Sequence, residues 1–375
     1  MNLLKQKEGF DKIDRHFMAI ALREAKKGLG RTAPNPCVGA VIVRNGDEIS
    51  RGYHKKAGTP HAEVHALNRA GNKARGATAY VTLEPCNHTG RTPPCSHALA
   101  AAGIKRVVVG LTDPNPQVSG SGNQYLCDQG IEVVTGVLED ECQELNLPFI
   151  KHITTGTPFV VMKAGMSLDG KLSYQKGVPG KMTGKKSLAK LHNLRDSFDA
   201  ILVGRGTLLA DNPSLTTRTS TGGRDPVRVV LDSSLQIPLD SKILQLDSKA
   251  QTILICTKQA DPQKVKMLSE LKNVQVHTVK QQQDGGLDLE SLLHFLGKTG
   301  ICSLLVEGGA EVHTSFLKHG LVDRVMLFMA PLFAGTSGTG LLCDFSVSDR
   351  QAAPMLHNVI YTPLGDDILI QGDIG

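Results

Sequence analysis

Three residues of the types that bind zinc occur with one acid in the first hundred residues of the chain. His61 lies two residues before Glu63, and Cys86 and Cys95 each follow a proline. Zinc binds imidazole and thiolate, and a catalytic zinc has three protein ligands and a fourth position open for water. We therefore predict that His61, Cys86 and Cys95 bind Zn²⁺.

Glu63 is close enough in sequence to lie beside the predicted metal without being one of its ligands. The pattern His-x-Glu, followed by Pro-Cys and a second Cys, is typical of zinc deaminases that act on nucleobases. Zinc lowers the pKa of its water, which then attacks the ring carbon that bears the amino group. Glu63 would take the proton from that water and deliver it to the ring nitrogen and the leaving amine. The pattern predicts hydrolytic deamination with Glu63 as the catalytic residue.

The spacing of the two cysteines leaves an alternative open. Zinc deaminases commonly have two residues between the cysteines, whereas eight residues separate Cys86 from Cys95 here. His88 lies in this segment and could be a fourth protein ligand, which would close the site to water. The chain would then be a non-catalytic, zinc-stabilised binding protein, in which replacing Glu63 leaves function intact.

Alternating helix and strand signals in the first 150 residues would position these side chains. We predict an amphipathic helix with Asp14 as its N-cap and Gly28 at its end. A Thr-Pro pair predicts a helix from about His61, and Pro94 opens another just before Cys95. The helix dipole and free backbone N–H groups stabilise a thiolate at such a helix start. Strands are expected at 38–43, 48–53, 77–83, 106–110 and 131–135.

The second half of the chain also alternates strands with helices, and the alternation predicts an α/β fold. The two halves share no motif. The segment 145–158 contains Pro148 and Pro158, and we interpret it as the connection between two domains, 1–152 and 153–375. Strands are expected at 159–163, 200–204, 227–232, 252–257, 303–307 and 324–330, and helices at about 185–197, 288–299 and 310–319.

Composition limits the classes of protein to which the chain can belong. Its 375 residues are 40% hydrophobic and 21% charged, which is ordinary for a globular protein. No apolar run is long enough for a transmembrane helix, and the first residues lack the apolar stretch of a signal peptide. We therefore expect a cytoplasmic protein with no membrane partner. Because thiols stay reduced in the cytosol, the eight cysteines should be metal ligands or buried small residues rather than disulfides.

The formal net charge of +6 permits a second alternative, a nucleic-acid-editing zinc deaminase with an appended domain. Only 4% of the residues are aromatic and there is no Trp. Few side chains would then be available on which unpaired bases could stack. We therefore expect no nucleic-acid partner.

Two stretches of the first half resemble the deaminase half of the bifunctional riboflavin-biosynthesis deaminase/reductase family. They are Ala33–Gly39 and Thr82–Cys95, and the second contains the unusual cysteine spacing. The resemblance implies a cytidine-deaminase-like α/β/α sandwich. It also implies that Asn35, His54 and His88 lie against the substrate. Without it, Asn35 would be only a turn residue and His54 a surface residue.

Residues 159 to about 330 resemble the reductase half of the same family. The resemblance implies a dihydrofolate-reductase-like α/β domain that uses NADPH. Taken alone, the diglycine Gly308-Gly309 between a strand and a helix favours a tight turn over a phosphate site. The matching stretches, in the family's order, are Lys163–Lys171, Asp199–Thr207, Asp211–Arg218 and the turn Glu307–Gly309.

The resemblance implies roles for individual residues of the second half. Lys163 and Asp211 are the ionisable groups expected near the hydride-transfer site, with Lys163 as the catalytic residue. Lys181 occurs where the family often has a Trp against the cofactor, and it could instead reach a cofactor phosphate. Arg195 and Arg218 suit a ribose phosphate, although Arg195 alone would be a solvated helix residue. Cofactor contacts are implied for Gly165, Thr207, Asp211, Gly309, Ala310, Glu311, Val312, His313, Thr314 and Ser315, and substrate contacts for Leu215 and Glu307.

The resemblance thus implies a bifunctional enzyme of riboflavin synthesis. The first half would deaminate 2,5-diamino-6-(5-phosphoribosylamino)pyrimidin-4-one. The second half would use NADPH to reduce the ribosyl group of 5-amino-6-(5-phosphoribosylamino)uracil to a ribityl chain. The implied partners are this phosphorylated pyrimidine and further copies of the chain, in a dimer or a tetramer.

Overall fold

The computed structural model describes residues 4–6, 11–88, 93–115, 119–220, 222–282 and 285–375. The chain divides into two compact units, Met1–Gly156 and Thr157–Gly375, called here the first unit and the second unit. Every candidate site residue named above lies in the described ranges. Within those ranges, no helix is both long enough and apolar enough to cross a membrane.

The first unit is a six-stranded sheet covered by helices on both faces. The strand order is β1-β6-β5-β4-β2-β3. Strand β2 pairs antiparallel with β3 and β4, and the remaining neighbours pair in parallel. The strands are β1 (Leu4–Gln6), β2 (Gly39–Arg44), β3 (Asp47–Tyr53), β4 (Thr78–Leu83), β5 (Arg106–Leu111) and β6 (Glu132–Thr135), and the helices are α1 (Lys12–Ala25), α2 (Ala62–Ala70), α3 (Cys95–Ala101), α4 (Ser121–Asp128) and α5 (Glu139–Thr155).

Two apolar clusters hold the helices of the first unit against its sheet. Successive strand side chains alternate between the faces, so Val81 packs with α2, α3 and α4 while Tyr80 packs with α1 and α5. Helix α2 lies close to β3, because a Cβ on Gly52 would be 2.5 Å from the carbonyl oxygen of Ala62. This packing confirms the predicted α/β/α sandwich and fixes the helix start that carries His61.

The first predicted helix begins earlier than expected. Helix α1 starts at Lys12 with Asp11 as its N-cap, so the assignment of Asp14 as the cap was wrong. Asp14 is buried and accepts hydrogen bonds from Tyr80 (3.0 Å) and from both terminal nitrogens of Arg106 (2.8 Å each). This Arg106 pairing offsets burial and lowers the pKa of Asp14. A carboxylate with cross-sheet partners stabilises the packed state rather than a helix end.

The segment 145–158, interpreted as the interdomain connection, contains the division between the units at Gly156, but most of it is helical. Helix α5 runs through most of this segment and contains Pro148 in its interior. An interior proline costs roughly 3 kcal/mol, and the packing of Cys142 and Phe149 against the sheet offsets that cost. The helix ends at Gly156, which has a φ of 74°. Only about two residues separate it from the first strand of the second unit.

The second unit is a nine-stranded sheet with the order β11-β10-β9-β8-β12-β7-β13-β15-β14. Its first seven strands in this order are parallel, and β15 and β14 add antiparallel at one edge. The strands are β7 (Phe159–Ser167), β8 (Ala200–Gly204), β9 (Val227–Leu231), β10 (Thr252–Cys256), β11 (Val274–Thr278), β12 (Ser303–Val306), β13 (Arg324–Ala330), β14 (Leu356–Leu364) and β15 (Asp367–Ile374).

Helices cover both faces of this second sheet. Ala200 and Leu202 face one apolar cluster and Ile201 and Val203 face another, as expected for a strand buried on both sides. The antiparallel pair β14 and β15, and the helix at 262–269, were not predicted. The helices are α6 (Lys185–Ser197), α7 (Arg205–Asp211), α8 (Pro262–Ser269), α9 (Leu289–Lys298) and α10 (Ala310–Lys318).

Candidate active sites

The predicted zinc ligands of the first unit come together in the structure. His61 is the N-cap residue of α2, and Cys95 is the first residue of α3, as predicted. His61 Nδ1 lies 3.2 Å from Cys95 Sγ and 3.6 Å from Cys86 Sγ. Hydrogen bonds from the Cys95 thiol, from His61 and from the Cys95 backbone N–H lower the pKa of Cys86. Cys86 is therefore ready to bind a cation as a thiolate.

Among the described residues, one cluster of His, Cys, Asp or Glu side chains has the compactness of a metal site. It contains His61, Cys86 and Cys95, whose ligand atoms all lie within 4.8 Å of one another. His88 is exposed and is not part of it. This cluster has the three-ligand arrangement of a catalytic zinc rather than the four-ligand arrangement of a closed site.

Glu63 lies in the first turn of α2 beside this cluster. Its side chain is buried, and its Oε2 atom has no hydrogen-bond partner among the described residues. Burial, and then the charge of Cys86, raises the pKa of Glu63 to about 7. Such an unpartnered acid suits a site in which a water molecule must be held and deprotonated. The residues present thus fit a zinc ion with a reactive water.

A cavity of about 490 Å³ opens over the zinc ligands and Glu63. Asn35, His54 and His88 all line it, as the family resemblance implied. Asn35 Nδ2 lies 3.1 Å from His54 Nε2, and the His54 Nδ1 atom lies 3.3 Å from the Pro60 carbonyl. Burial lowers the pKa of His54, so its ring is neutral and can both donate and accept a hydrogen bond.

Two walls of this cavity were missed by the sequence interpretation. Asp113 and Asn115 come from the segment after β5, and Phe149 and Ile153 come from α5. Short polar residues after a buried strand are a usual place for binding groups, and that signal was available for Asp113 and Asn115. The apolar wall was hidden because Pro148 favoured a linker over a helix.

The candidate site of the second unit lies where adjacent parallel strands end. Strands β8, β12 and β7 are neighbours, so the turns after them meet at one edge of the sheet. Ligands of open α/β sheets bind at this carboxyl edge. Gly165, Thr207 and Gly309 lie there, and a Cβ on Gly309 would be 3.4 Å from Thr207 Oγ1.

The absence of a side chain has two different structural consequences among the glycines at this edge. A Cβ on Gly308 would lie 2.5 Å from Val312, and one on Gly204 would lie 2.6 Å from it. These two glycines let α10 pack against the sheet. In contrast, a Cβ on Gly206 would meet no atom within 4 Å, and one on Gly309 meets only Thr207. This open backbone at the start of α10 fits the pyrophosphate of a dinucleotide.

The first residues of α10 present their backbone rather than their side chains to this space. Val312, His313 and Thr314 are buried, and Thr314 Oγ1 accepts the backbone N–H of Cys343 at 2.9 Å. Of these three residues, Val312 alone has its N–H in the free first turn, because the His313 N–H donates to the Gly309 carbonyl at 3.1 Å. The remaining members of the segment are Ala310, which is buried, Glu311, which is exposed, and Ser315, which is half-buried.

A buried charge cluster lies beside the same edge. Arg195 from α6 donates to both carboxylate oxygens of Glu307, at 3.0 and 2.9 Å, and Lys163 Nζ lies 3.7 Å from Glu307 Oε2. Burial raises the pKa of Glu307, but Lys163 and Arg195 lower it more, and the net pKa is lowered. Burial lowers the pKa of Lys163. An amine with a lowered pKa next to a fixed carboxylate suits proton transfer near neutral pH.

The structure gives the two arginines unequal surroundings. Arg195 is buried, and its third contact is to the carbonyl of Thr216 at 3.3 Å. Arg218 is exposed, and its backbone N–H donates to His192 Nδ1 at 3.3 Å. Arg218 is therefore the more available of the two for a phosphate. His192 was missed because a lone His in a helix has no specific signal.

The other implied residues of the second unit are spread around this edge. Leu215 has a φ of 52°, and its side chain is buried in an apolar cluster. Asp211 is the exposed last residue of α7. Lys181 is exposed in the segment between β7 and α6.

Two family profiles match the chain, one in each unit. The cytidine and deoxycytidylate deaminase zinc-binding region matches residues 11–111. The RibD C-terminal domain matches residues 158–369. Both predicted activities thus have a matching profile in the predicted order.

Characterised relatives match nearly the whole chain. The riboflavin biosynthesis protein RibD of Aquifex aeolicus is 44% identical over 358 residues, which cover 96% of this chain and 98% of that protein. RibD of Escherichia coli is 40% identical over 372 residues, covering 95% and 98%.

Solved structures show the same two-unit fold. RibD of Acinetobacter baumannii has a TM-score of 0.85 at 37% identity, with 97% of this chain and 99% of that chain covered. A Thermotoga maritima protein described as diaminohydroxyphosphoribosylaminopyrimidine deaminase/5-amino-6-(5-phosphoribosylamino)uracil reductase has a TM-score of 0.83 at 37% identity, with 97% and 99% covered.

Proposed function

The chain belongs to the RibD family of riboflavin biosynthesis enzymes, and we propose that it catalyses two consecutive reactions on one pyrimidine. The first unit removes an amino group from 2,5-diamino-6-(5-phosphoribosylamino)pyrimidin-4-one. The second unit reduces the ribosyl group of the resulting 5-amino-6-(5-phosphoribosylamino)uracil to ribityl. The observation that carries this proposal is the buried Glu63, whose Oε2 atom has no hydrogen-bond partner among the described residues, beside the cluster His61, Cys86 and Cys95 at a cavity of about 490 Å³.

His61, Cys86 and Cys95 hold the zinc of the first unit. When bound, zinc supplies the Lewis acidity that makes a water molecule nucleophilic at neutral pH. Glu63 Oε2 takes a proton from the attacking water as its oxygen bonds to the amino-bearing ring carbon. Glu63 then gives that proton to the ring nitrogen and carries the remaining hydroxyl proton to the amino group, so that the C–N bond breaks, ammonia leaves and the carbonyl forms.

The polar wall of the cavity orients the pyrimidine for this attack. Asn35 and His54 are joined by a hydrogen bond of 3.1 Å, so neither side chain rotates without the other. They offer a donor and an acceptor in fixed positions to the ring edge. His88 is exposed at the cavity, and we assign to it a further polar contact with the substrate. Fixed partners favour one ring orientation over the others.

NADPH fits the carboxyl edge of the second sheet. Gly165, Thr207 and Gly309 would line its approach, and the N–H groups at Ala310 and Glu311 would bind its phosphates. From the family resemblance we assign the remaining cofactor contacts to Lys181, Asp211, Val312, His313, Thr314 and Ser315. When bound, NADPH supplies the hydride that reduces the anomeric carbon of the sugar.

Lys163 and its neighbours serve the sugar and its phosphate. Reduction breaks the bond between the anomeric carbon and the ring oxygen, and that oxygen must gain a proton. Lys163 Nζ is the proton donor that we assign to it, with Glu307 fixing its position at 3.7 Å. Arg218 binds the phosphate, whereas Arg195 holds Glu307 in place through its two hydrogen bonds. Because the Leu215 side chain lies in an apolar cluster, we assign its substrate contact to the backbone.

The remaining features of the proposal concern the setting of the enzyme. The deaminase is assigned to the first unit, which extends past the predicted boundary at 152 to Gly156, and the reductase to the second unit. The enzyme functions in the cytoplasm as a homo-oligomer, a dimer or a tetramer, on a small phosphorylated substrate and without nucleic acid. The small aromatic content of 4% supports the last point, since bases would find few stacking partners.

One cuvette tests both activities. Ammonia release from the phosphorylated diaminopyrimidinone is measured while NADPH absorbance at about 340 nm is followed in the same sample. We expect ammonia first and NADPH oxidation after it, with equal final amounts. No ammonia and no oxidation, or tight salt-dependent binding to transfer RNA in their place, would contradict the proposal.

A further inference from the structure

The side chain of Glu84 joins the metal-binding segment, defined here as Glu84–Cys86, to a part of the first unit that is distant in sequence. It is 4% exposed and lies two residues before Cys86. Its carboxylate accepts four backbone N–H groups, two from residues between β5 and α4 and two from the first turn of α4. The donors are Asp113 (3.1 Å) and Gly120 (2.9 Å) to Oε2, and Gly122 (2.9 Å) and Asn123 (3.2 Å) to Oε1.

The segment that Glu84 holds forms one wall of the deaminase cavity. Asp113 and Asn115 both line that cavity, and the Asn115 N–H donates to Asp113 Oδ1 at 2.9 Å. Glu84 contributes to the same lining. One carboxylate therefore connects the segment that carries the zinc ligand Cys86 with the polar wall formed by Asp113 and Asn115.

A second contact packs the start of α4 against the metal-binding segment. A Cβ added to Gly122 would lie far inside van der Waals contact of the Pro85 carbonyl oxygen. The start of α4 is thus seated directly on the residue between Glu84 and Cys86. Both the hydrogen bonds and this close approach fix the distance from the metal to the wall.

We propose that Glu84 is a positioning residue for the deamination, which sets the wall around Asp113 and Asn115 at a fixed distance from Cys86. This role rests on the deaminase activity proposed above. An ionised carboxylate is acceptor-only and offers about four lone-pair sites, which matches the four N–H donors. A glutamine offers one acceptor oxygen and turns an NH₂ group toward two donors. Glu84→Gln therefore keeps the shape of the side chain and loses about half of its hydrogen bonds.

The test compares steady-state ammonia release by the wild type, Glu84→Gln and Gly122→Ala in the full chain. For both variants we expect the KM for the diaminopyrimidinone to rise about tenfold or more, because lost charge-assisted hydrogen bonds free the wall. We expect kcat to change much less, zinc content to stay at that of the wild type, and NADPH oxidation with the deaminated substrate to be unchanged. Amide hydrogen exchange should speed up at residues 119–123 in both variants.

Glu24→Gln is the matched control. Glu24 is a buried carboxylate of the same unit, 3% exposed, whose hydrogen bond is to Lys27 in the α1 region. It does not line the cavity. Its KM should equal that of the wild type even if its melting temperature falls.

The outcomes separate this inference from the proposed function. A wild type that releases no ammonia removes the proposed function and this role with it. An active wild type with an unchanged KM in Glu84→Gln removes this role alone. Loss of zinc in parallel with kcat, or an equal KM rise in Glu24→Gln, would mean that Glu84 has only a structural role.

Discussion

The two candidate sites are built from the chain in opposite ways. The zinc site uses rare residue types at short spacing, with all three ligands and Glu63 between positions 61 and 95. The site of the second unit draws on residues from Lys163 to Ser315, and most of them are common types. Its geometry comes from parallel strands that end at one edge. A site of the first kind is recognisable from residue chemistry, whereas a site of the second kind is recognisable from topology.

The carboxylates of the two sites also differ in their hydrogen-bond and ion-pair partners. In the first unit, Glu63 has an oxygen without a hydrogen-bond partner among the described residues, which leaves that oxygen available for reacting groups. In the second unit, Glu307 is fully engaged by Arg195 and Lys163. The first carboxylate is free to exchange a proton, and the second fixes the position of a neighbouring amine. Separate substitutions should therefore disable the two activities independently.

The largest expected effect is that of Glu63→Gln. Removing a general acid–base group lowers the rate by about 10²- to 10⁴-fold, so ammonia release should fall by this factor. Zinc content should not change, because Glu63 is not a ligand. NADPH oxidation with the deaminated substrate is the internal control. Ammonia release at the wild-type rate would support a zinc-stabilised protein without catalysis at this site.

Replacing Lys163 should impair the reductase and leave the deaminase unchanged. Lys163→Met keeps the length of the side chain and removes its proton, so NADPH oxidation should fall about 10²-fold. Ammonia release should stay at the wild-type rate. The melting temperature of the variant must be measured beside the rates, because Lys163 lies in a buried charge cluster. Wild-type oxidation by a folded variant would exclude Lys163 as the proton donor.

The two neighbouring glycines of the second unit separate packing from cofactor binding. Gly308→Ala places a Cβ 2.5 Å from Val312 and should destabilise the unit by about 1–3 kcal/mol. Gly309→Ala meets only Thr207 Oγ1 at 3.4 Å, so its melting temperature should be nearly unchanged. Because its Cβ fills the approach to the phosphates, the KM for NADPH should rise about tenfold. Equal effects of both substitutions on stability and KM would contradict this division.

The smallest effect concerns the pH dependence of the reductase. Burial, and then the charges of Arg195 and Arg218, lowers the pKa of His192 below its ordinary value of 6.5. His192 Nδ1 accepts the Arg218 N–H only when that nitrogen is unprotonated. The native contact is therefore favoured at higher pH and is lost as the pH falls below 6.5 through the lowered pKa. His192→Gln keeps an acceptor that does not titrate.

We therefore expect the kcat/KM ratio of His192→Gln to wild type to rise as the pH falls. Because the pKa lies below 6.5, the rise should stay below about tenfold between roughly pH 7.5 and pH 5.5. Taking the ratio at each pH cancels the titration of the substrate phosphate. A ratio that is constant over this range would show that His192 does not control the position of Arg218.

Residue chemistry predicted the zinc site almost completely. His61, Glu63, Cys86 and Cys95 lie together because imidazole, thiolate and acid have few other uses at such spacing. The two helix starts that carry His61 and Cys95 were also predicted, since proline marks the first turn of a helix. For these residues, local sequence determines local structure, and local structure determines the site.

The parts that could not be predicted depend on contacts between distant segments. Asp14 looked like a helix cap, but Tyr80 and Arg106, far along the chain, make it a buried partner. Pro148 indicated a linker, yet packing against the sheet overrides its local preference. The contact between His192 and the Arg218 N–H depends on the packing of α6 beside the strand ends. Such effects are tertiary, and a propensity or a motif does not contain them.

Helix α5 has a consequence for how the gene could be divided. The zinc-binding region recognised by its family profile ends at residue 111, before this helix begins. A fragment limited to that region would contain every zinc ligand and Glu63, but not Phe149 and Ile153. It would also expose the apolar face that Cys142 covers. A truncated gene product of this kind would retain the metal-binding residues but aggregate and fail to select its substrate, so the shortest useful deaminase fragment extends through Thr155.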